Sequence, residues 1–241
     1  MENLANSQSV RNSIKHVLNF LAQTTGLPYI LVGGSSLLLH GSTRTTNDID
    51  LLIPRHTIEN FLAAQKTTLK AIEHNQIEKI DLLNEIVDRF DFDAIEPFSM
   101  DIEGIKVPQL DVMLGSKVLC YNLRPDGIEG EKKRASDLFD INWISRELSG
   151  RGWKVQKEVS DKMACGPYHM LLVVSSLHDK YGKESVELFE SVGGREFEAT
   201  WGIDTFAEQV ELYELEMEEA EYSEEEVKLL QSRQKQNGTP D

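Results

Sequence analysis

One stretch constrains this chain more than any other. It runs Leu31-Val-Gly-Gly-Ser-Ser-Leu-Leu-Leu-His-Gly-Ser-Thr-Arg-Thr-Thr-Asn-Asp-Ile-Asp-Leu-Leu-Ile53. Tyr29–Val32 predicts a short buried strand, which Gly33 and Gly34 stop. Ser35 to Leu39 reads as a helix start with serine near its cap. A polar loop through Arg44 follows, and Asp48–Ile53 predicts a second strand that Pro54 ends. A strand that turns directly into a helix and returns as a strand is the unit of a mixed α/β fold, not of a helical bundle or a β-sandwich.

Each part of this unit has a chemistry. Glycines let a ligand approach the backbone closely. A helix N-terminus offers unpaired N–H groups and the positive end of its dipole, both suited to a phosphate. Asp48 and Asp50 are two apart on a strand and so share one face. Two carboxylates on one face repel unless a cation lies between them. A hard, oxygen-seeking ion is the natural guest, with Mg²⁺ first and Mn²⁺ as the substitute. A phosphate cradle beside such a pair implies phosphoryl or nucleotidyl transfer.

The rest of the chain builds around this unit. Val10, Ile14, Val17, Leu18 and Leu21 predict an amphipathic first helix that ends at Gly26. A helix over Thr57–Ile72 and a third strand over Ile77–Leu83 follow. Phe90–Ile95 reads as a strand, and Met100–Ile102 with Ile105–Val107 as a hairpin turning at Glu103-Gly104. Beyond Leu110 the pattern becomes helical: from Val112 to Leu123, from Ala135 to Gly150, over residues 167–190, and over residues 201–232. The change of texture near Arg124-Pro125-Asp126-Gly127 predicts a core over residues 1–125. A helical region with an acidic, partly disordered tail is predicted over residues 126–241.

Composition narrows the function. Lys and Arg number 25 against 41 Asp and Glu, a formal net charge of −16. That balance argues against an extended nucleic-acid surface and against an anionic membrane. Two cysteines, Cys120 and Cys165, cannot make a disulfide framework, and no CxxC or HExxH spacing suggests zinc. Residues 1–26 hold no apolar signal-like core, and no apolar run is long enough to span a bilayer. A cytoplasmic protein is expected. The glutamate run from Glu208 to Glu226 reads as a solvated helix face, with a protein-binding arm as the sharper alternative.

With these residues in view, the chain resembles the polymerase-β-like nucleotidyltransferase superfamily. Gly33-Gly34-Ser35 followed by Asp48-x-Asp50 is similar to its signature. Arg44-Thr45-Thr46-Asn47-Asp48-Ile49-Asp50 looks like the Arg-x-Thr/Ser-x-Asp-h-Asp segment of its stand-alone branches, AbiEii-toxin-like or small-molecule-modifying. Lys117, Arg124, Lys132, Lys133 and Ser136-Asp137-Leu-Phe-Asp140-Ile141 resemble those branches' Lys, Arg, Lys-Asp-x-x-Asp-Ile pattern, with Ser136 where the pattern has lysine. The likeness covers roughly residues 28–145.

The resemblance implies a nucleotidyltransferase-fold mixed sheet flanked by helices. It implies Mg²⁺-dependent transfer of an NMP from an NTP to a hydroxyl of a small molecule or protein, releasing pyrophosphate. Asp48 and Asp50 would ligate metal, and Gly33, Gly34, Ser35, Arg44 and Lys117 would hold the triphosphate. A third carboxylate would ligate metal and act as base. Asp81 is the choice, with Asp91 and Asp93 as rivals. The alternative is a nucleotidyltransferase-fold binding or toxin-like regulatory protein with little transfer activity. A tRNA-directed enzyme is a third reading, for which only the basic stretch Arg124–Arg134 could supply a surface.

Several residues carry plainer expectations. Asp137 and Asp140 read as surface or capping charges. His40 reads as packed rather than catalytic, and His169 and His178 as structural. Tyr168, Met170, Leu171 and Leu172 read as a core stripe, and Cys120 as a small buried residue.

Overall fold

Gly26, at φ +62°, stops the first helix, α1 (Glu2–Thr25), where the sequence places the stop. The computed structural model describes residues 2–44, 46, 48–57, 59–60, 79–86 and 90–198, with the side chains of residues 2–8 and 24 excepted. The expected helix over Thr57–Ile72 falls almost wholly outside the described residues, and the acidic helix over residues 201–232 falls entirely outside them. Met1–Glu198 makes one compact unit.

The strand β1 (Ile30–Val32) passes without a loop into α2 (Gly33–His40). Every residue of α2 from Gly34 to His40 is buried, Leu37, Leu38 and Leu39 in the core and Ser35 and His40 through hydrogen bonds. Gly41 closes it at φ +109°, and the N–H of Ser42 reaches back to the Leu37 carbonyl at 2.9 Å. Next comes β2 (Asp48–Leu52), the central strand of a three-stranded sheet. It runs antiparallel to β1, with Val32 opposite Asp50, and parallel to β3 (Lys79–Leu83), with Asp50 opposite Asp81.

Both faces of this sheet are covered. Leu31, Ile49, Leu51 and Ile80 turn to the core that holds Ile14, Leu18 and Leu21 of α1. Ile30, Val32 and Leu52 turn to the other core, with Leu114, Leu138, Ile141 and Phe189. The period of two along β2 therefore puts Asp48, Asp50 and Leu52 on the face that meets the later helices.

A small ladder of β4 (Glu85–Ile86) and β5 (Phe90–Asp91) follows. The strand expected over Phe90–Ile95 stops after Asp91. The Asp91 carboxylate accepts the Ala94 N–H at 2.9 Å and so caps a one-turn helix, α3 (Phe92–Ile95). The hairpin β6 (Ser99–Ile102) and β7 (Ile105–Pro108) forms as expected, with Glu103 and Gly104 both at positive φ.

Five helices complete the described chain: α4 (Leu110–Asn122), α5 (Ile128–Gly150), α6 (Lys157–Lys162), α7 (Pro167–Tyr181) and α8 (Lys183–Ser191). The expected single helix over residues 167–190 is thus two, because Gly182 at φ +82° breaks it. The texture change near residue 125 marks a change of element type and not of core. One hydrophobic cluster runs from Ile30 and Val32 through Leu114 to Ile141, Val173 and Phe189. The chain is a mixed α/β protein with small sheets and much helix. No described helix is long and apolar enough to cross a membrane.

Tyr168, Leu171 and Leu172 do not join the core with Met170. They are 55%, 58% and 37% exposed on α7, while Met170 is fully buried. Cys120 is half-buried, and Cys165 is the buried thiol. His40 is packed as expected, its ring bonded through Nε2 to the Pro108 carbonyl at 2.9 Å.

Candidate active site

The site forms where β2 and β3 lie side by side next to the start of α2. Strand geometry turns Asp48 and Asp50 to one face, and parallel register places Asp81 directly beside Asp50. Asp48 is exposed, whereas Asp50 and Asp81 are half-buried. Burial raises the proton affinity of Asp50, and Asp81 and Asp48 add to the rise. Lys117 and Arg44 oppose it, and the carboxyl stays above its ordinary range. Lys79, two residues before Asp81 on the same strand, places its ammonium 2.8 Å from the Asp81 carboxylate. Among the described residues no three His, Cys, Asp or Glu side chains gather as a ligand group. The donor set nonetheless suits a hard cation in kind: carboxylate oxygens on adjacent strands, with Asp50 and Asp81 in register.

Asp91 and Asp93 stand apart from this face. Asp91 pairs with Glu85 in the separate β4–β5 ladder and caps α3, and Asp93 is exposed on the first turn of α3. Asp81 alone of the three candidates shares the sheet with Asp48 and Asp50.

Each glycine of the pair is met by a side chain of the same site. Gly33 has φ +65°, and a Cβ there would collide with Oδ2 of Asp50. At Gly34 a Cβ would lie 3.2 Å from Cζ of Arg44 and 3.4 Å from its Nη2. The helix begins at Gly33 itself, with Val32 in the cap position and no side chain capping it. Ser35, expected near the cap, lies inside the first turn. It is fully buried, and its hydroxyl donates to the Asp48 carbonyl. That bond ties the start of α2 to the start of β2 and leaves backbone N–H groups as the means of holding an anion there.

Behind these residues is a buried charge group that the sequence reading did not assemble. Lys117 on α4 places its ammonium 3.0 Å from Asp137 Oδ1 and 3.0 Å from Asp140 Oδ2, both on α5. Arg124 forks onto Asp137, Nε to Oδ2 at 2.7 Å and Nη2 to Oδ1 at 3.2 Å. Arg44 donates through Nη1 to Asp140 Oδ2. The expectation that Asp137 and Asp140 are surface or capping charges is corrected, since they are 1% and 0% exposed. They are buried because three cations surround them; a buried carboxylate otherwise carries a desolvation cost of several kcal/mol. For Lys117, burial lowers the proton affinity, but Asp140 and Asp137 outweigh it and hold the ammonium above its ordinary value. The signal for this group was in the sequence, as two cations on one predicted helix and its end, then two aspartates three apart on the next.

The basic stretch after Arg124 is largely committed within itself. Arg134 donates to the carbonyls of Arg124 and Pro125, and Lys132 pairs with Glu129 at 2.6 Å. Arg124 is held by Asp137, while Lys133 is exposed.

Compared with known proteins, the chain matches no protein-family model, no curated protein and no solved structure.

Proposed function

We propose that the protein is a metal-dependent nucleotidyltransferase with a polymerase-β-like core, moving an NMP from an NTP to a hydroxyl acceptor. The observation that carries the reading is the register of Asp50 with Asp81, next to a helix N-terminus that begins at two glycines. Mg²⁺, or Mn²⁺, would be held by Asp48, Asp50 and Asp81, and when bound it neutralises the phosphates and the charge that grows in the displacement. The first-turn N–H groups of α2 and the Arg44 guanidinium receive the triphosphate. Lys117 acts at one remove, as the charge partner of the acidic pair on α5. Asp81 takes the proton of the acceptor hydroxyl as that oxygen attacks the α-phosphorus, and pyrophosphate leaves. The acceptor is a small molecule or a protein.

A second reading has its own support. Asp81 is paired with Lys79, and no three-carboxylate group is formed among the described residues. An NTP-binding regulatory protein with little transfer activity fits that arrangement. Pyrophosphate release over a panel of hydroxyl acceptors separates the two. Release that disappears in Asp50→Asn supports the transferase; NTP binding without release under any acceptor supports the regulator. Failure of every NTP with Mg²⁺ to bind or to raise the melting temperature overturns both.

A further inference from the structure

Arg44 is carried by the loop between α2 and β2, where a long side chain keeps its rotamer freedom unless something holds its far end. Asp140 holds it: Nη1 of Arg44 donates to Asp140 Oδ2, the oxygen that also takes Lys117 at 3.0 Å. The hold leaves the guanidinium over Gly34, with Cζ and Nη2 both within 3.4 Å of where a Cβ would lie.

Exposure argues that this is more than an internal ion pair. Lys117 and Arg124 already match Asp137 and Asp140 one for one. Arg44 is the third cation on these two carboxylates, and Asp50 is a third carboxylate on which Arg44 and Lys117 both act. The Arg44 guanidinium lies at the start of α2, where backbone N–H groups also point. Its side chain is 24% exposed, while the Asp140 side chain has no exposure at all. A substrate can therefore touch Arg44 but not Asp140.

We propose that Asp140 is a positioning residue, whose buried carboxylate, itself pinned by Lys117, holds the Arg44 guanidinium over Gly34 in the orientation that receives a phosphate of the bound nucleotide. This rests on the reading of the site given above. The gain is preorganisation: the ordering of Arg44 is met in folding and not at binding.

The test is a double-mutant cycle on the full chain, with Mg²⁺ and inorganic tripolyphosphate as the probe and calorimetry as the readout. Wild type, Arg44→Gln, Asp140→Asn and the double variant are compared. Each single variant is expected to weaken tripolyphosphate by about tenfold, as for loss of one charge-assisted contact. The double variant is expected to bind no more weakly than Arg44→Gln alone. Additive losses, or an Asp140→Asn protein that binds like wild type, overturn the positioning role and leave the nucleotide site standing. A wild-type protein that binds neither tripolyphosphate nor any NTP overturns the site itself and this role with it. Should Asp140→Asn not fold, the Arg44 Nε–Hε NMR signal of the wild type decides. A rigid side chain before the probe is added, shifted by the probe, is expected; a freely mobile one overturns the proposal.

Discussion

The Lys117 ammonium stands 3.0 Å from Asp137 Oδ1, and both side chains are almost wholly out of solvent. A charge pair in that position is held by its partners and not by water. Lys117→Met removes the cation that Asp137 and Asp140 share and leaves Arg124 on Asp137 and Arg44 on Asp140. We expect a loss of about 1–3 kcal/mol in urea denaturation, the range for a buried polar group that loses one of its partners. Lys132→Met, which breaks an exposed pair with Glu129, should leave the midpoint unchanged. Equal effects from the two variants would contradict the buried arrangement.

Asp81 is the base in the proposed reaction, so Asp81→Asn should lower pyrophosphate release by about 10²–10⁴-fold. Asp93→Asn and Asp91→Asn should leave turnover near wild type, since asparagine still caps α3 and neither residue lies on the β2–β3 sheet. Turnover that follows Asp93 instead of Asp81 would reassign the base.

Gly33→Ala introduces a Cβ where Asp50 Oδ2 lies, at a φ of +65°. The backbone conformation alone costs about 1–2 kcal/mol for a residue with a Cβ. Gly41→Ala has the same kind of strain at φ +109° but meets nothing within 4 Å. Both should lower the melting temperature. Only Gly33→Ala should also abolish the rise given by Mg²⁺ and NTP, because only there is a carboxylate displaced.

His40 is the packed histidine that ends α2. Burial lowers its proton affinity below the ordinary value of 6.5; Arg151 lowers it further, and the Pro108 carbonyl and Glu147 oppose. The unfolded chain therefore takes the proton first as pH falls. Its contribution to stability is whole above the ordinary value and is lost as pH drops through the folded value. Urea denaturation at about pH 8 and about pH 5 should show the wild type weaker in acid, with a smaller difference in His40→Gln. An unchanged difference would assign the acid sensitivity elsewhere.

Local pattern carried much of the architecture. The apolar spacing of Val10 to Leu21 marks the buried face of α1, and Glu103-Gly104 marks the turn between β6 and β7. The aspartate pair on β2 faces one side because strands alternate. Other features escaped local reading for stated reasons. A single side-chain cap from Asp91 outcompeted the strand pattern of Phe90–Ile95. A lone Gly182 cut a continuous apolar periodicity into two helices. Tyr168, Leu171 and Leu172 follow helical spacing but face outward, since the spacing shows that a helix has an apolar side and not whether anything covers it.

The sequence by itself determined the composition of the site: two glycines, a helix start, paired aspartates on a strand, and a set of cations and aspartates downstream. These are local facts, set by backbone freedom and by the periods of strand and helix. Which carboxylate stands beside Asp50 was a matter of strand register between segments far apart in the chain, and only the packed sheet decided for Asp81 over Asp91 and Asp93. The same holds for Asp137 and Asp140. Their charges say surface when read alone, and burial became tolerable only when α4 and the loop of Arg44 brought three cations to them. Charge in a protein interior is settled by its neighbours, and neighbours across the chain are what tertiary structure supplies.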